Sequence, residues 1–307
     1  MVVLDGATLP ARLPVAEAVS ACAAALRALA TGAVVEGATT VADLGPGRRV
    51  LGGTAAWEGD VVVWTALRPA ARAAGRAYDT AVLIDAAGVG RLVLHGYEVA
   101  VLGAAAAAGA AVDLLAPRAA GLVALVGTGG LAAALLEAVC AVRPVTQVRV
   151  VGRNAGRAAA FAARTRAQAW VRGATVLPAR DAGLATRGAE IILMATASEE
   201  PVVPAEEVAA GACLVAAGTG GGWAAEVPPA LVERSVVVSD NVHAARRWSD
   251  GPSMRGHARW TGTCLVALAD ASGGCPRPAG AVTLVVLVGA PVTALALCRL
   301  AAGRIGA

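Results

Sequence analysis

Residues 121–157 read GLVALVGTGGLAAALLEAVCAVRPVTQVRVVGRNAGR, and this stretch decides the fold of the chain. An apolar run at Leu122–Val126 is followed by a glycine turn, an alanine-rich and leucine-rich stretch, and a second apolar run at Gln147–Val151. A strand that is apolar at nearly every position is typical of a parallel sheet with helices on both faces. The order of strand, turn, helix and strand therefore predicts a βαβ unit.

The glycine turn fits the pattern G-x-G-x-x-A, with Gly127, Gly129 and Ala132 at the fixed positions. The first glycine permits the tight turn, the second lets a pyrophosphate approach the backbone, and the small third residue keeps the helix close to the strand. The helix then offers free N–H groups to the phosphates. We interpret the turn as a dinucleotide site because a strand precedes it and a helix follows, and a glycine-rich packing turn is the alternative. The residues assigned to the cofactor here are Gly127, Thr128, Gly129, Gly130 and Leu131.

The end of the second strand indicates which dinucleotide is bound. NAD-binding proteins usually place an Asp or Glu there to bind the ribose 2′-hydroxyl. This chain instead has Gly152, Arg153 and Asn154, with Arg157 one helical turn further on. Two guanidinium groups and no carboxylate favour NADP(H) over NAD(H), because they can bind a 2′-phosphate. The alternative is that both arginines are simply solvated.

Two further predicted strands end where the cofactor would lie. Ligands of doubly wound sheets bind at the carboxyl ends of the strands. Ala195, Thr196 and Ala197 follow one of these strands, and Gly218 follows the next. We assign all four residues to the cofactor site, since small side chains there leave room for a nicotinamide.

The rest of the chain separates into two patterns. After residue 117 strands and helices alternate, and further strands are predicted over residues 174–177, 191–195, 213–217, 236–239 and 282–288. Before residue 117 the predicted elements are two helices, at 15–30 and 97–115, and strands at 49–51, 60–67, 80–85 and 90–94. We predict an α/β protein, with a Rossmann-type doubly wound parallel sheet over residues 117–290 and a separate α+β unit over residues 1–116. A last helix within residues 291–307 returns to the α+β unit.

Composition narrows the possible functions. The formal net charge of +4 is spread along the chain without a basic run, so we expect no nucleic-acid partner. None of the six cysteines has the spacing of a metal ligand, so we expect no metal. The opening residues lack the basic start of a signal peptide, so we expect a cytoplasmic protein. Residues 279–298 carry no charge, but Gly289-Ala290-Pro291 interrupts them, which favours a strand and a helix over a membrane span.

The chain resembles the ornithine cyclodeaminase/mu-crystallin family over residues 119–307. The resemblance rests on the glycine turn with Glu137-Ala138-Val139, on Val148–Asn154 followed by Ala158–Ala163, on Ile192–Val203, on Leu214–Gly218 with Glu226, on Val236–Asp240 and on Thr283–Gly289. It implies NAD(P)-dependent chemistry at a carbon–nitrogen bond and a homodimer. It also implies that residues 1–116, with the last helix, form the substrate and dimerisation domain.

The chain departs from the family at the substrate site. Working members hold the substrate carboxylate with arginines, and they use a lysine and an aspartate near the reacting carbon. This sequence contains no lysine, and the alignment places Val61–Thr65 where the lysine would be. The two arginine positions fall near Leu102 and Thr39, and the aspartate position falls near Gly220. The resemblance therefore implies a lost carboxylate clamp and a substrate other than a free α-amino acid.

The sequence does not identify the catalytic residues. Hydride transfer needs only the cofactor and the right geometry, but an amine or imine also needs a proton donor or acceptor. The nearest polar candidates along the chain are His95, Glu98 and Asp240, each of which we interpret as structural. Candidates for an aromatic pocket, with a core role as the alternative, are Trp57, Trp64 and Trp223.

Three functions remain open. The first is an NADP(H)-linked reductase or dehydrogenase that acts at a C–N bond of a non-standard substrate in specialised metabolism. The second is an inactive homologue that keeps the cofactor and serves as a partner subunit or a small-ligand carrier. The third, an unaltered cyclodeaminase, is disfavoured by the missing lysine. Site chemistry and not fold must decide between them.

Overall fold

The computed structural model describes residues 1–6, 8–44, 48–69, 76–198, 200–217, 226–249, 265–273 and 280–306, and the structural statements below refer to these residues. They form two separate sheets, one of seven strands and one of eight.

The first sheet is mostly antiparallel. Its strands are β1 (Val2–Asp5), β2 (Val34–Glu36), β3 (Thr40–Asp43), β4 (Arg48–Trp57), β5 (Asp60–Pro69), β6 (Tyr78–Ile84) and β7 (Gly90–Gly96). They are ordered β1-β7-β6-β5-β4-β2, with β3 also pairing with β4, and only β1 and β7 run parallel. β6 and β7 form the hairpin predicted around residues 84–88, where the Asp85 carboxylate accepts the N–H groups of Ala87 and Val89.

The second sheet is parallel throughout. Its strands are β8 (Leu122–Val126), β9 (Gln147–Val151), β10 (Thr175–Pro178), β11 (Ile191–Met194), β12 (Cys213–Ala216), β13 (Ser235–Ser239), β14 (Leu265–Ala267) and β15 (Val282–Val286). They are ordered β10-β9-β8-β11-β12-β15-β13-β14. The chain winds in one direction from β8 to β10 and in the other from β11 onward, so the order reverses beside β8. This is the doubly wound Rossmann-type sheet that the sequence predicts, and the glycine turn lies at its reversal point.

Nine helices surround the sheets in the described part of the chain. They are α1 (Leu9–Arg12), α2 (Val15–Ala30), α3 (Tyr97–Leu115), α4 (Gly130–Val142), α5 (Ala155–Arg166), α6 (Ala182–Thr186), α7 (Pro229–Glu233), α8 (Val242–Ser249) and α9 (Pro291–Ile305). Short 3-10 turns lie at 169–171, 205–207 and 270–273. The uncharged stretch that ends at residue 298 is divided into β15 and α9, as predicted. α9 packs against α2 and against the inner face of the first sheet, which is the predicted return. The domain boundaries at residues 116 and 290 stay a prediction.

Helix α3 connects the two halves of the molecule. It packs against α2 and α4, and Gly109 permits this because a Cβ there would lie 2.5 Å from Val19. Arg143, at the end of α4, is buried and donates to the carbonyl oxygens of Val112, Asp113 and Ala116 at the end of α3. The last carbonyl groups of a helix lack the usual intrahelical donors, although Val112 also accepts the Ala116 N–H. One guanidinium group therefore satisfies most of the helix end and fixes α3 to α4.

Strand β4 is much longer than the strand predicted at 49–51. The predicted strand stops just before Gly52-Gly53, and glycine is usually unfavourable inside a strand. In the structure the strand continues to Trp57 through its pairing with β5. Residue 53 is glycine because a side chain would not fit there, since a Cβ would lie 2.6 Å from Pro291 of α9. The glycine therefore marks a close helix contact and not a turn. Strands β1, β2, β3 and β14 were also missing from the prediction.

One described helix, α3, is long and apolar enough to span a membrane by length and composition. In the window that meets this criterion, 67% is buried inside the protein, as in a core helix. The cytoplasmic location stays a prediction.

Candidate cofactor and substrate site

A large open cleft of about 1260 Å³ lies at the carboxyl edge of the parallel sheet. Twelve of the residues assigned from the sequence line it together: Gly127, Thr128, Gly129, Gly130, Leu131, Gly152, Arg153, Asn154, Arg157, Ala195, Thr196 and Ala197. Gly218 lies outside the described residues. The structure thus brings together residues separated by up to 70 positions, in the crevice where this class of sheet binds ligands.

Two glycines of the turn differ in what surrounds them. Gly127 has φ of +122°, and a Cβ there would lie 2.5 Å from the carbonyl oxygen of Ala195. Gly129 has an ordinary extended backbone, and a Cβ there would meet nothing within 4 Å. Gly127 is therefore required by the fold, whereas Gly129 leaves open space beside the N-terminus of α4. No side chain caps that N-terminus. Free N–H groups beside an open backbone fit a pyrophosphate.

Four arginines surround the end of the cleft beyond β9 and β10. Arg153 and Arg157 are joined there by Arg164 and Arg180. All four are exposed, and no partner for their guanidinium groups is found among the described residues. Asn154 has a local role, since its side chain caps α5 by accepting the N–H of Arg157 at 2.9 Å. The sequence analysis missed Arg164 and Arg180, although Arg180 follows β10 as Arg153 follows β9.

Arg76 and Tyr97 line another part of the cleft, near the start of α3. The Arg76 guanidinium carbon lies 5.2 Å from the centre of the Tyr97 ring, which is a cation–π contact. Burial raises the pKa of the Tyr97 hydroxyl, and the charge of Arg76 partly offsets this. The hydroxyl also lies near Gly130, at the N-terminus of α4. Neither residue was singled out in the sequence.

Another wall of the cleft is the loop at 195–202, which follows β11. Its residues Thr196, Ala197, Ser198, Glu200, Pro201 and Val202 line the cleft. The loop is joined to Glu226, whose carboxyl oxygen Oε1 accepts the Ser198 N–H at 3.1 Å and whose backbone oxygen accepts the Val202 N–H at 3.0 Å. Burial raises the pKa of Glu226 to about 7, and hydrogen bonds from Thr196 and Ser198 partly offset that shift.

A second, much smaller cavity of about 40 Å³ lies next to the cleft, and we call it the chamber. Most of its walls are apolar: Val99, Ala100, Gly103 and Ala104 of α3, Ala217, and residues 287–297 around the start of α9. Tyr97 of the same helix lines the cleft, and Ala195 and Ala217 follow the neighbouring strands β11 and β12. The cleft and the chamber therefore share one helix and one sheet edge.

The polar wall of the chamber is a buried triad of Trp64, Arg68 and Asp79. Nη1 and Nη2 of Arg68 donate to the two carboxylate oxygens of Asp79, the second at 3.2 Å. The Trp64 ring N–H donates to Asp79 as well, at 3.1 Å. All three side chains are at least 90% buried. The guanidinium fork, which could have bound a substrate carboxylate, is thus occupied by a carboxylate of the protein.

This arginine was not predicted from the sequence. On this strand only Val61–Thr65 was compared with the family's substrate site, as the stretch aligned with the missing lysine. On β5, however, Val62, Trp64, Ala66 and Arg68 alternate with exposed residues and face the core. The period of two along a half-buried strand could have placed Arg68 beside Trp64.

Asp240 is the other charged residue that lines the chamber within the described ranges. Its two carboxylate oxygens accept the N–H groups of Val288 and Gly289, each at 2.9 Å. Burial raises its pKa to about 6, while these hydrogen bonds and the charge of Arg68 act in the opposite direction. Asp240 therefore carries a negative charge in the chamber above about pH 6.

The remaining sequence candidates lie elsewhere. His95 is on the exposed outer face of the first sheet, with Nδ1 2.7 Å from the Thr80 hydroxyl, and Glu98 lies against Gly6. Trp57 stacks with Arg299 of α9, 4.6 Å from its ring centre, and Trp223 is outside the described residues. Thr39, at an expected arginine position, accepts a hydrogen bond from Asn241 at 2.9 Å.

Comparisons with known proteins agree with this architecture. The structure of Δ1-pyrroline-2-carboxylate reductase from Thermococcus litoralis, in complex with NADH and L-proline, superposes with a TM-score of 0.82 at 20% identity, covering 99% of this chain and 97% of that one. An archaeal alanine dehydrogenase dimer with bound NAD gives 0.81 at 17% identity, covering 98% and 95%. Iminosuccinate reductase of Paracoccus denitrificans with NAD⁺ gives 0.76 at 18% identity, covering 99% and 96%. At these identities the likeness establishes the fold.

The sequence comparisons establish the family. The chain matches the ornithine cyclodeaminase/mu-crystallin family over residues 11–256, and it belongs to that family. A protein of Rhizobium meliloti (strain 1021), provisionally named a dehydrogenase, is 33% identical over 156 residues. That alignment covers 51% of this chain and 46% of the relative, so the chain matches about half the length of this curated relative.

Proposed function

We propose that this protein is an NADP(H)-dependent oxidoreductase that acts at the carbon–nitrogen bond of a small amine or imine without a carboxylate. The observation that carries the proposal is the closed Arg68–Asp79 pair in a chamber next to a dinucleotide cleft. The cleft supports an oxidoreductase, because it fits a dinucleotide cofactor. Family membership supports chemistry at a carbon–nitrogen bond. The chamber supports a substrate without a carboxylate, because its arginine is already paired.

The residues of the cleft fit a phosphorylated dinucleotide. Gly129 and the N-terminus of α4 would receive the pyrophosphate, and Arg153, Arg157, Arg164 and Arg180 would surround a 2′-phosphate. Four exposed guanidinium groups without partners in the described structure repel one another, and a phosphate would relieve that repulsion. The bound nicotinamide would supply or accept a hydride.

The chamber residues favour a small cationic nitrogen compound. Arg68 and Asp79 neutralise each other, and Asp240 leaves one negative charge above about pH 6. A protonated imine or an ammonium group would pair with that charge, whereas a substrate carboxylate would meet Asp240 and a saturated arginine. In imine reduction the iminium carbon accepts the hydride, the C=N π pair becomes the nitrogen lone pair, and a neutral amine is formed.

We expect wild-type protein to bind NADPH more tightly than NADH. Replacing Arg153 and Arg157 together by alanine should weaken NADPH binding by about 100-fold or more, because each lost charged hydrogen bond to phosphate contributes about 1.5–3 kcal/mol and about 1.4 kcal/mol corresponds to a tenfold change. NADH binding should change little. Fluorescence titration of both nucleotides measures this. Arg118→Ala is the matched control, because Arg118 is exposed and precedes β8 at the opposite edge of the sheet.

The same preparation then tests the substrate. NADPH oxidation is followed with 1-pyrroline and with Δ1-pyrroline-2-carboxylate, which differ only by the carboxylate. The proposal expects turnover of the first or of a related small imine, and little of the second. A preference for the carboxylated imine would overturn the substrate assignment, and failure to bind either nucleotide would overturn the redox class.

One observation favours the inactive alternative, in which the protein is a partner subunit or a ligand carrier. The chamber is small, and the polar side chains that line it in the described structure are already engaged in internal hydrogen bonds. Tight nucleotide binding without turnover of any amine or imine would favour this function.

We also propose that the protein is a homodimer that pairs through the outer face of the first sheet. On that face Val3, Val93, Val82 and Val63 stand side by side on β1, β7, β6 and β5, with Thr54 next on β4. Val3 is 61% exposed and Val63 is 40% exposed. A row of partly exposed valines suits a second copy of the same face, and an alanine dehydrogenase of this fold is a dimer.

Replacing Val63 and Val82 together by arginine is expected to convert the dimer to a monomer. In a twofold interface the same face of each copy meets the other, so the new arginines of the two copies would repel one another. Light scattering coupled to gel filtration measures the mass. Val89→Arg is the matched control, because Val89 is exposed but lies in the hairpin turn. A wild-type protein that is monomeric at micromolar concentration would overturn the dimer.

A further inference from the structure

Glu226 is a buried carboxyl group that the proposed chemistry does not use. It has no exposed surface, and its Oε2 atom has no hydrogen-bond partner among the residues that the structure describes. Buried polar groups in folded proteins are nearly always paired, and an unpaired one commonly indicates a function or an alternative state. Among the described residues, the ionisable side chains on the adjoining elements are Glu200, Glu233 and Arg234, and all three are exposed. Residues 218–225 contain no ionisable side chain, and Glu199 lies outside the described residues.

The side chain and backbone of Glu226 hold the loop at 195–202 at three points. The carboxyl group accepts the Ser198 N–H and bonds the Thr196 hydroxyl, and its backbone oxygen accepts the Val202 N–H. At its start the loop is fixed to the parallel sheet, since the Ala195 N–H donates to Val126. Beyond that point, Glu226 supplies the contacts that hold this wall of the cleft in place.

We propose that Glu226 is a positioning residue that holds the loop at 195–202 closed for the cofactor while it is protonated, and that loses this hold when it ionises. This inference rests on the proposed cofactor site. A neutral carboxyl group can stay buried with one oxygen unpaired at modest cost, but an ionised one requires solvation of both oxygens. Water can reach Oε2 only if the protein packed around it moves, and the loop at 195–202 is the part to which Glu226 is hydrogen-bonded.

The direction of the pH dependence follows from burial. The pKa of Glu226 in the folded protein, about 7, lies above the value of 4.5 for an exposed glutamic acid. The folded state therefore holds a proton that the unfolded state releases, and the stabilisation is complete below pH 4.5 and is lost as the pH rises to about 7. Cofactor binding that needs the closed loop should lose strength as the pH rises above about 7.

The test is the affinity for NADH, which lacks a phosphate monoester that titrates near neutral pH. We expect wild-type affinity to fall by about 10- to 30-fold between pH 6.5 and 8.5, because each pH unit above the pKa removes about nine-tenths of the protonated form. Glu226→Gln carries a permanently neutral side chain of the same shape, and its affinity should change by less than about threefold. Glu36→Gln is the matched control. Glu36 is half-buried and its pKa is also raised to about 7, but its carboxylate accepts the Val292 N–H at the start of α9, away from the cleft.

A second measurement needs no variant. Calorimetry of NADH binding at pH 7.5 in two buffers with different ionisation enthalpies counts the protons taken up, and we expect about half a proton or more per nucleotide. Glu226→Gln should take up correspondingly less.

Equal pH dependence in wild-type and Glu226→Gln protein would overturn the inference, as would wild-type binding without proton uptake. The proposed cofactor site would survive either result. Only the absence of nucleotide binding at every pH would overturn both.

Discussion

Replacing Asp79 by alanine is expected to lower the free energy of unfolding by about 3–5 kcal/mol, among the largest effects of any single change in this protein. The substitution leaves the Arg68 guanidinium buried without its counter-ion and removes the acceptor of the Trp64 ring N–H. A buried charge that loses its partner costs far more than an exposed one, because water cannot replace the lost interactions. Urea denaturation followed by circular dichroism measures the change.

The chain offers a matched control in Glu207→Ala. Glu207 also accepts two hydrogen bonds from one arginine, Arg187, at 2.8 and 2.6 Å, but that pair is exposed to solvent. Its loss should cost far less than the loss of the buried pair, because water and salt screen exposed charges. Acetate should partly restore the stability of Asp79→Ala, since it can enter the space left by the aspartate side chain and pair with Arg68. Equal losses in both variants would show that the buried pair contributes no more than a surface pair.

Gly127→Ala and Gly129→Ala are expected to separate folding from cofactor binding. At Gly127 the new Cβ would lie 2.5 Å from the Ala195 carbonyl oxygen, in a backbone with φ of +122°. Backbone atoms cannot move aside as a flexible side chain can, so we expect a loss of about 2–4 kcal/mol in stability together with loss of nucleotide binding. Thermal melting and fluorescence titration measure the two effects.

At Gly129 the same substitution meets open space and an ordinary backbone conformation. Stability should stay within about 0.5 kcal/mol of wild type, as for surface substitutions without a structural role. Nucleotide affinity should still fall by about tenfold or more, because the methyl group enters the space that a pyrophosphate would fill. Unchanged affinity in Gly129→Ala would mean that no pyrophosphate binds at this turn.

The parallel sheet was predictable because its information is local. Strands β8 and β9 occur at the predicted residues, 122–126 and 147–151, since apolar runs bounded by glycine, proline or polar residues define buried strands. The first sheet was less predictable. β4 contains Gly52-Gly53, a pair typical of a turn, and the contact that explains Gly53 involves Pro291, far away in the sequence. Such contacts between distant residues leave no periodic pattern along the chain.

The two cavities show the same contrast. The residues that line the cleft follow strand ends and glycine turns, so their positions could be read from the sequence. The Arg68–Asp79 pair joins two strands, and nothing in the sequence of either strand identifies its partner. Glu226 was recognisable only as part of a family pattern, because burial and an unpaired oxygen are properties of the folded protein.

The arrangement of the chamber also constrains the order in which this protein can fold during synthesis. Trp64, Arg68 and Asp79 lie on the first sheet, but the wall opposite them comes from residues 287–297, which are made after every strand of both sheets. A chain emerging from the ribosome with its N-terminus first therefore carries the inner face of the first sheet without α9 to cover it. Closure of the chamber and burial of the Arg68–Asp79 pair are then among the last events of folding. A nascent chain stalled before residue 291 would expose an apolar sheet face and depend on chaperones for its solubility.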